Sequence, residues 1–522
     1  SPRTNIGARG LNLKASFTYL DGVKGGVQSF AIEELTGLFR RQEFKMALRV
    51  EDVADPRITF SANGALPLGT LPAILGEGPI TDCDGFLRIE NLELSGRYED
   101  MLRARTMGRV AAAGRLTFDD GELTVNDREL SFPSGTLELR QNELELIDLA
   151  FSGPGTEIAF TGRATNLIPV LFADSLNTND AELNFDARLT GESIDLDELL
   201  NLAGPTEEEE EVAAAAGQTD SLRAKTMTRR TQITDLLRGR FDASVDAWNY
   251  GEIEGEDFRG QLTFTPRRLD VVGLTAAMDG SLNLDGSVFF EAYQRVEGRI
   301  SCDGVDVEQF FAQSENFGQE VLTNDNIEGE MDAKLFIRAY YDEFGEFDYD
   351  KLVVKAGISI LNGELNDFKM LENFAFALKA GDLERVRFTK LQNYFEIEQQ
   401  TLYIPLMFIQ SSALNLEISG NHTFNNFLDY YIKVNAGQAI ANKIKKHDDE
   451  LEVLPARRRG FFNLYYTVYG PLDNYEVDSN KRAVKDDFRR SLTRKGRVKR
   501  DLEAAFKERI ELVEDLPEEE DG

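Results

Sequence analysis

Along most of this chain apolar and polar residues alternate one for one, in short runs broken by Gly, Asn and Asp. The stretch GTLELRQNELELIDLAFSG, from Gly135 to Gly153, shows the pattern plainly. Successive side chains of a strand point to opposite faces, so Leu137 and Leu139 fall on one side and Glu138 and Arg140 on the other. A turn at Gln141-Asn142 follows, and the alternation resumes at Leu144 and Leu146. The same texture recurs in GRLTFDDGELTV (114–125), GQLTFTPRRLDVV (260–272), GSLNLDGSVFF (280–290) and FEIEQQTLYI (395–404). Strands at this spacing, with turn residues between them, predict antiparallel meanders and an all-β fold with a few short helices.

The pattern also repeats at long range. Moving Gly135 onto Gly260 carries Leu137, Leu144 and Leu149 onto Leu262, Leu269 and Leu274. Moving Leu137 onto Phe395 carries Leu139, Leu144, Phe160 and Gly162 onto Ile397, Leu402, Ile418 and Gly420. Two readings stay open: the self-alignment of any meander, or a duplicated module. Helices are expected at 195–203 and 306–314, after cap residues Asp195 and Asp306, with further candidates at 29–41, 367–380 and near 437–447. The segment GPTEEEEEVAAAAGQTDSLRAKTMTRR (204–230) is acidic, then alanine-rich, then basic, and reads as a disordered linker loop. The expected layout is an N-terminal sheet portion (1–203), this linker (204–230), a middle module (231–350), a C-terminal β-region (351–478), a basic helical segment (479–516) and a frayed tail (517–522).

A sheet with one apolar face must bury that face against something. A second sheet, a helical layer, a barrel or a solenoid would do so. So would a long curved antiparallel sheet forming an apolar groove that shares its concave face with a ligand. The chain adds amphipathic strands for hundreds of residues and little helix, and its 42% apolar content supports a substantial core. Acyl chains match a trough of Leu, Ile, Phe and Val, since burial gains about 0.8 kcal/mol per methylene.

Charge and chemistry narrow the function. With 92 acidic and 58 basic residues the net charge is -34, which argues against nucleic acid as a partner. Cys83 and Cys302 are far apart and lack metal spacing, and His422 and His447 are the only histidines. No GxSxG, HExxH or phosphate-loop motif occurs, so the reading is not an enzyme, with no cofactor and no metal. The acids of YYDEFGEFDYD (340–350) lack EF-hand spacing and read as a solvated hairpin. His422 reads as a surface residue and Trp248 as core. No apolar run of membrane-spanning length occurs. The chain begins at Ser1 and not at Met, so any signal or anchor is expected upstream.

The basic stretch 480–516 adds a second feature. Val484, Phe488 and Leu492 share a helix face, and Leu502, Phe506 and Ile510 repeat the arrangement after Gly496. Lys485, Arg489, Arg490, Arg494 and Lys495 surround the first helix, which suits an anionic membrane surface or an acidic partner. The other reading is a helix packed on the end of the sheet.

Residues 356–437, including ISILNGELNDF, VRFTKLQNYFEIEQQTLYIPLMFIQSSALNLEISG and FLDYYIKVNAG, resemble the C-terminal region of the AsmA family. RRRGFFNLYYTVYGPLDNYEV (457–477) is similar to the final strands of such proteins. The resemblance is good over the C-terminal region and only general over residues 1–350. It implies a periplasmic β-groove anchored in the inner membrane of a Gram-negative bacterium, similar in build to bridge-like lipid transfer proteins. Its implied role is moving phospholipid toward the outer membrane and maintaining outer-membrane integrity. An outer-membrane protein would be a further partner. The lipid-lining positions would be Leu137, Leu139, Leu144, Leu146, Leu262, Phe264, Phe395, Ile397, Leu402, Ile404, Leu414 and Leu416. The alternative is a non-lipid scaffold for outer-membrane assembly, built from the same strands sealed as a sandwich or solenoid.

Overall fold

The computed structural model describes residues 8–19, 27–39, 41–70, 80–125, 127–171, 181–202, 205, 207–291, 293–318, 320–367, 385–412, 415–435 and 463–512. Among these residues 23 strands, numbered β1 (Ala8–Tyr19) to β23 (Glu476–Ser479) in chain order, form one long curved open sheet. Each strand pairs with the next along the chain, so the architecture is a repeated meander. Tight turns make this possible. Gln141 joins β7 (Arg128–Arg140) to β8 (Glu143–Gly153) with φ 56°, and Gln399 and Gln400 join β18 (Arg385–Glu398) to β19 (Thr401–Gln410), both at φ 53°. Positive φ at the turn matches the right-handed twist of the flanking strands.

One neighbouring pair is parallel: β10 (Leu183–Asp195) with β11 (Leu237–Tyr250). Parallel neighbours need a long crossover, commonly helical. Beyond α1 (Tyr98–Met101) and α2 (Leu167–Leu171), the helices α3 (Leu196–Asn201), α4 (Glu207–Ala216) and α5 (Thr219–Leu236) supply it. The 204–230 segment, expected as a disordered loop, therefore carries helix. Alanine and glutamate favour helix, and Glu209, Glu210 and Glu211 lie early in α4, where acids complement the helix dipole. Arg223 of α5 ion-pairs with Glu346, fixing the crossover to the hairpin after β16 (Ile327–Tyr340).

Two expected helices form as read: α3, and α6 (Val307–Gln313). Their caps Asp195 and Asp306 accept from the backbone N–H of Glu198 and Gln309, at 2.9 and 2.8 Å. The candidate at 29–41 is instead β2 (Val27–Phe39). A register shift between Ile32 and Leu35 spaces Phe30, Ile32 and Leu35 unevenly, which imitates a helical period in the sequence. The candidates at 367–380 and near 437–447 lie outside the described residues, apart from Asp367, and so do Leu414 and the 517–522 tail. The expected boundaries at 203/231 and 350/351 are both crossed by the ladder.

The C-terminal basic segment forms one helix, α7 (Lys481–Phe506), running through Gly496 where two helices were expected. Its buried stripe is Val484, Phe488, Ser491, Lys495, Val498 and Leu502. Leu492 is 50% exposed, because three positions spaced by four drift off a stripe that steps alternately by three and four. Ile510, beyond the helix end, is buried against Tyr394 and Leu502. Among the described residues no helix is long and apolar enough to cross a membrane. Cys83 and Cys302 are both buried and unbridged.

Candidate functional site

Residues paired across a ladder share a face, so the register can be followed from strand to strand. One row starts at Gly37 and passes through Phe44, Gly64, Ile89, Leu116, Leu137 and Leu146. It continues through Gly162, Ala187, Phe241, Leu262, Val271, Gly286 and Gly298. It ends through Ile337, Val354, Ile397, Leu402, His422, Leu428 and Gly470. Every strand from β2 to β22 (Asn463–Pro471) contributes one position, and only His422 is polar. A parallel row runs through Gly114, Leu139, Leu144, Ala164, Phe185, Gly239, Phe264, Leu269 and Val288. It too is wholly apolar.

The opposite face is charged. Arg115, Glu138, Glu145, Arg163, Asp186 and Arg240 form the row between those two. Arg115 ion-pairs with Glu138, and Arg240 reaches Asp186 at 3.2 Å. The Glu138 carboxyl, bonded by Arg115 and Arg140, is held below the usual range. The apolar row runs the whole curved length of the sheet, roughly 100 Å at about 4.8 Å per strand spacing. The opposite face is charged over these strands but turns apolar toward the C-terminus, where Tyr394, Leu406, Tyr431 and Tyr465 pack against α7.

Leu137, Leu146, Leu262, Ile397 and Leu402 lie in the first row, and Leu139, Leu144 and Phe264 in the second. Phe395 pairs with Ala356, Ile404 with Gly420, and Leu416 with Val434, all on the same face. Around the parallel pair the face is aromatic: Phe185 stacks on Phe241 with ring centroids 4.6 Å apart, and Phe160 and Phe264 close the cluster. Gly239, at φ 149°, lets this packing form. A Cβ there would sit 2.0 Å from the Phe185 carbonyl oxygen. Trp248, read as core, is half-buried and donates from Nε1 to Thr275 Oγ1 at 2.7 Å. The long-range repeat holds for the β7–β8 pair laid on β12 (Ile253–Thr265) and β13 (Arg268–Ala277), except at its end. Leu149 faces inward, paired with Phe160, whereas Leu274 pairs with Arg259 and Asn283 and is exposed.

His422, expected at the surface, is buried in the first row. The "EISG" strand that precedes it does not end there but continues to Thr423 as β20 (Asn415–Thr423), which carries the ring between Leu402 and Leu428. Its Nδ1 lies 2.8 Å from Tyr430 Oη, and burial lowers its pKa to about 4.

The basic helix is largely committed to its own sheet. Arg494 and Arg497 both bond Glu396, which is 2% exposed, at 2.7 Å each, and Arg494 stacks 3.6 Å over the Tyr403 ring. The Glu396 bond raises the pKa of Arg497. Lys495 is buried and donates to the Leu406 carbonyl at 3.1 Å, and Ser491 Oγ accepts from Leu406 N–H. Arg494 and Lys495, read as surface contacts, therefore turn inward. Lys485, Arg489 and Arg490 stay exposed, the two arginines bonded to Asp486 and Asp487.

This inward use has a local cause. The ladder between β18 and β19 holds only at Glu396–Glu398 against Thr401–Tyr403, with one bridge from Phe388 to Ser411. Pro405 has no N–H to give, and the strand bulges after Ile404. Asn393 spans the seam, donating to the Pro405 carbonyl at 2.6 Å, while α7 serves Leu406 from the face opposite the apolar row.

Comparison with protein-family models, curated proteins and solved structures finds no match to this chain. Among the described residues no cluster of His, Cys, Asp or Glu is arranged to hold a metal ion.

Proposed function

We propose that this chain is a lipid-binding and lipid-transfer protein whose working surface is the continuous apolar face of the sheet. The row from Gly37 to Gly470 carries this reading: it is apolar on every strand it crosses but one, and between Leu116 and Leu402 most of its side chains are only half-buried. Acyl chains would slide along the floor while headgroups stay in water at the rim, and no covalent step is needed. The likeness of residues 356–437 to the AsmA family supports phospholipid as cargo, a periplasmic location with an inner-membrane anchor, and a role in outer-membrane integrity.

A second reading, a sealed scaffold for outer-membrane assembly, is favoured by one region. At the C-terminal end Leu428, Ile432 and Val434 pack shut with Val386, Leu416 and Val468.

Native mass spectrometry of the chain after exposure to phosphatidylethanolamine and phosphatidylglycerol vesicles separates the two. The transfer reading expects several phospholipids per chain, and an Ile397→Asp variant that stays folded but carries fewer. A folded chain that takes up no labelled phospholipid sinks the transfer reading in favour of the scaffold.

A further inference from the structure

The apolar row that crosses the sheet contains a single polar side chain, and that side chain is incompletely bonded. His422 is 3% exposed, between Leu402 and Leu428. Its Nδ1 is occupied by Tyr430, but its Nε2 is buried without a hydrogen-bond partner. A buried polar atom left unpaired costs stability, and folded proteins keep few of them.

The tautomer follows from counting bonds. If Nδ1–H donated to Tyr430, both the phenol proton and the Nε2 lone pair would be unserved. If the Tyr430 hydroxyl donates to Nδ1, only Nε2–H is left. Both rings are neutral near pH 7, since burial lowers the pKa of His422 and raises that of Tyr430. The free atom is therefore a neutral donor set in hydrocarbon.

We propose that His422 Nε2 is a binding site for the ester carbonyl oxygen of an acyl lipid lying along this row. The inference rests on the lipid reading above and adds a fixed polar stop to it. An ester oxygen suits the site because it is a neutral acceptor attached directly to an acyl chain. A phosphate would bring an uncompensated charge beside Leu402 and Leu428, the ring's neighbours across the ladder. An acyl chain reaches Nε2 only when the side chains that close this end of the face give way, since Leu428 beside the ring is fully buried.

The test compares diester phosphatidylcholine with its dialkyl ether analogue of equal chain length, bound to the full chain and to His422→Phe. The expected result is a preference of the wild type for the ester by about three- to tenfold, the worth of one hydrogen bond. His422→Phe should bind both lipids equally. Equal binding by the wild type overturns the proposal, and so does an ester preference that survives the substitution. If neither lipid binds, the lipid reading itself fails, which is a distinguishable result. Should His422→Phe not fold, nitrogen-15 NMR of the wild-type histidines serves, with His447→Gln for assignment. The ester must shift the Nε2 resonance and the ether must not; a resonance unmoved by both, in lipid-loaded protein, overturns the site.

Discussion

The two ends of the sheet present the same apolar face to different surroundings. In β1, Leu13 is 59% and Phe17 is 70% exposed, although both are paired inward with Leu35 and Phe30. In β21 (Phe427–Asn435), Leu428 is fully buried and Ile432 and Val434 nearly so. The alternation is equally regular in both strands. What differs is the third dimension. Toward the C-terminus α6 brings Val307, Phe310 and Phe311 onto the face, and Val321 with partly buried Leu472 and Tyr475 closes the region around β21. The lesson is that alternation marks which face is apolar and is silent on whether protein covers it.

The largest expected effect comes from placing the same charge at each end. Leu428→Asp buries a carboxylate in a closed core and should cost about 4 kcal/mol or more in urea unfolding, or prevent folding altogether. Leu13→Asp should stay within about 0.5 kcal/mol of the wild type. Equal losses at the two positions would mean that the N-terminal face is also covered in solution, and the comparison would collapse.

A smaller effect sharpens the closed end through pH. His422 titrates near 4 when folded and near its ordinary 6.5 when unfolded, so between those values the unfolded chain binds a proton that the native chain does not. The contribution of the neutral ring is complete above pH 6.5 and falls away as the pH drops toward 4, by about 3 kcal/mol. Denaturation of the wild type and of His422→Phe at pH 7 and pH 4.5 isolates it. The wild type should lose more stability than the variant on acidification, and parallel losses would place the ring in water.

The smallest effect concerns the seam at β18 and β19. Ser491→Ala removes the acceptor for Leu406 N–H and should cost about 1–2 kcal/mol. Amide exchange at Leu406 should rise, while that of the N-terminal strands should not. Unchanged protection at Leu406 would show that the helix is not what holds the seam.

Much of the architecture was legible because strand side chains alternate with a strict period. Leu137, Leu139, Leu144 and Leu146 could be assigned to one face without knowing their partners. The reading failed where an irregularity intervened. The shift after Ile32 disguised β2 as a helix, and the regular period of four drew Leu492 onto a stripe that passes through Ser491. His422 looked like a surface residue because its neighbours Asn421 and Thr423 are polar. Their side chains belong to the other face, and only the pairing with Leu402 and Leu428 shows where the ring points. The parallel pair could not be read either, since the crossover that makes it looked like a linker.

The amino-acid sequence by itself determined most of the strands, their turns, the two capped short helices and which face of each regular strand is apolar. Those follow from local backbone geometry and a two-residue period. Only the tertiary structure decided that the strands continue one curved sheet, that α7 spends Arg494, Lys495 and Arg497 on β18 and β19, and that the apolar face is open at one end and closed at the other. Each of these depends on contacts between residues far apart in the chain, and a local pattern of polarity holds no record of what will be packed against it.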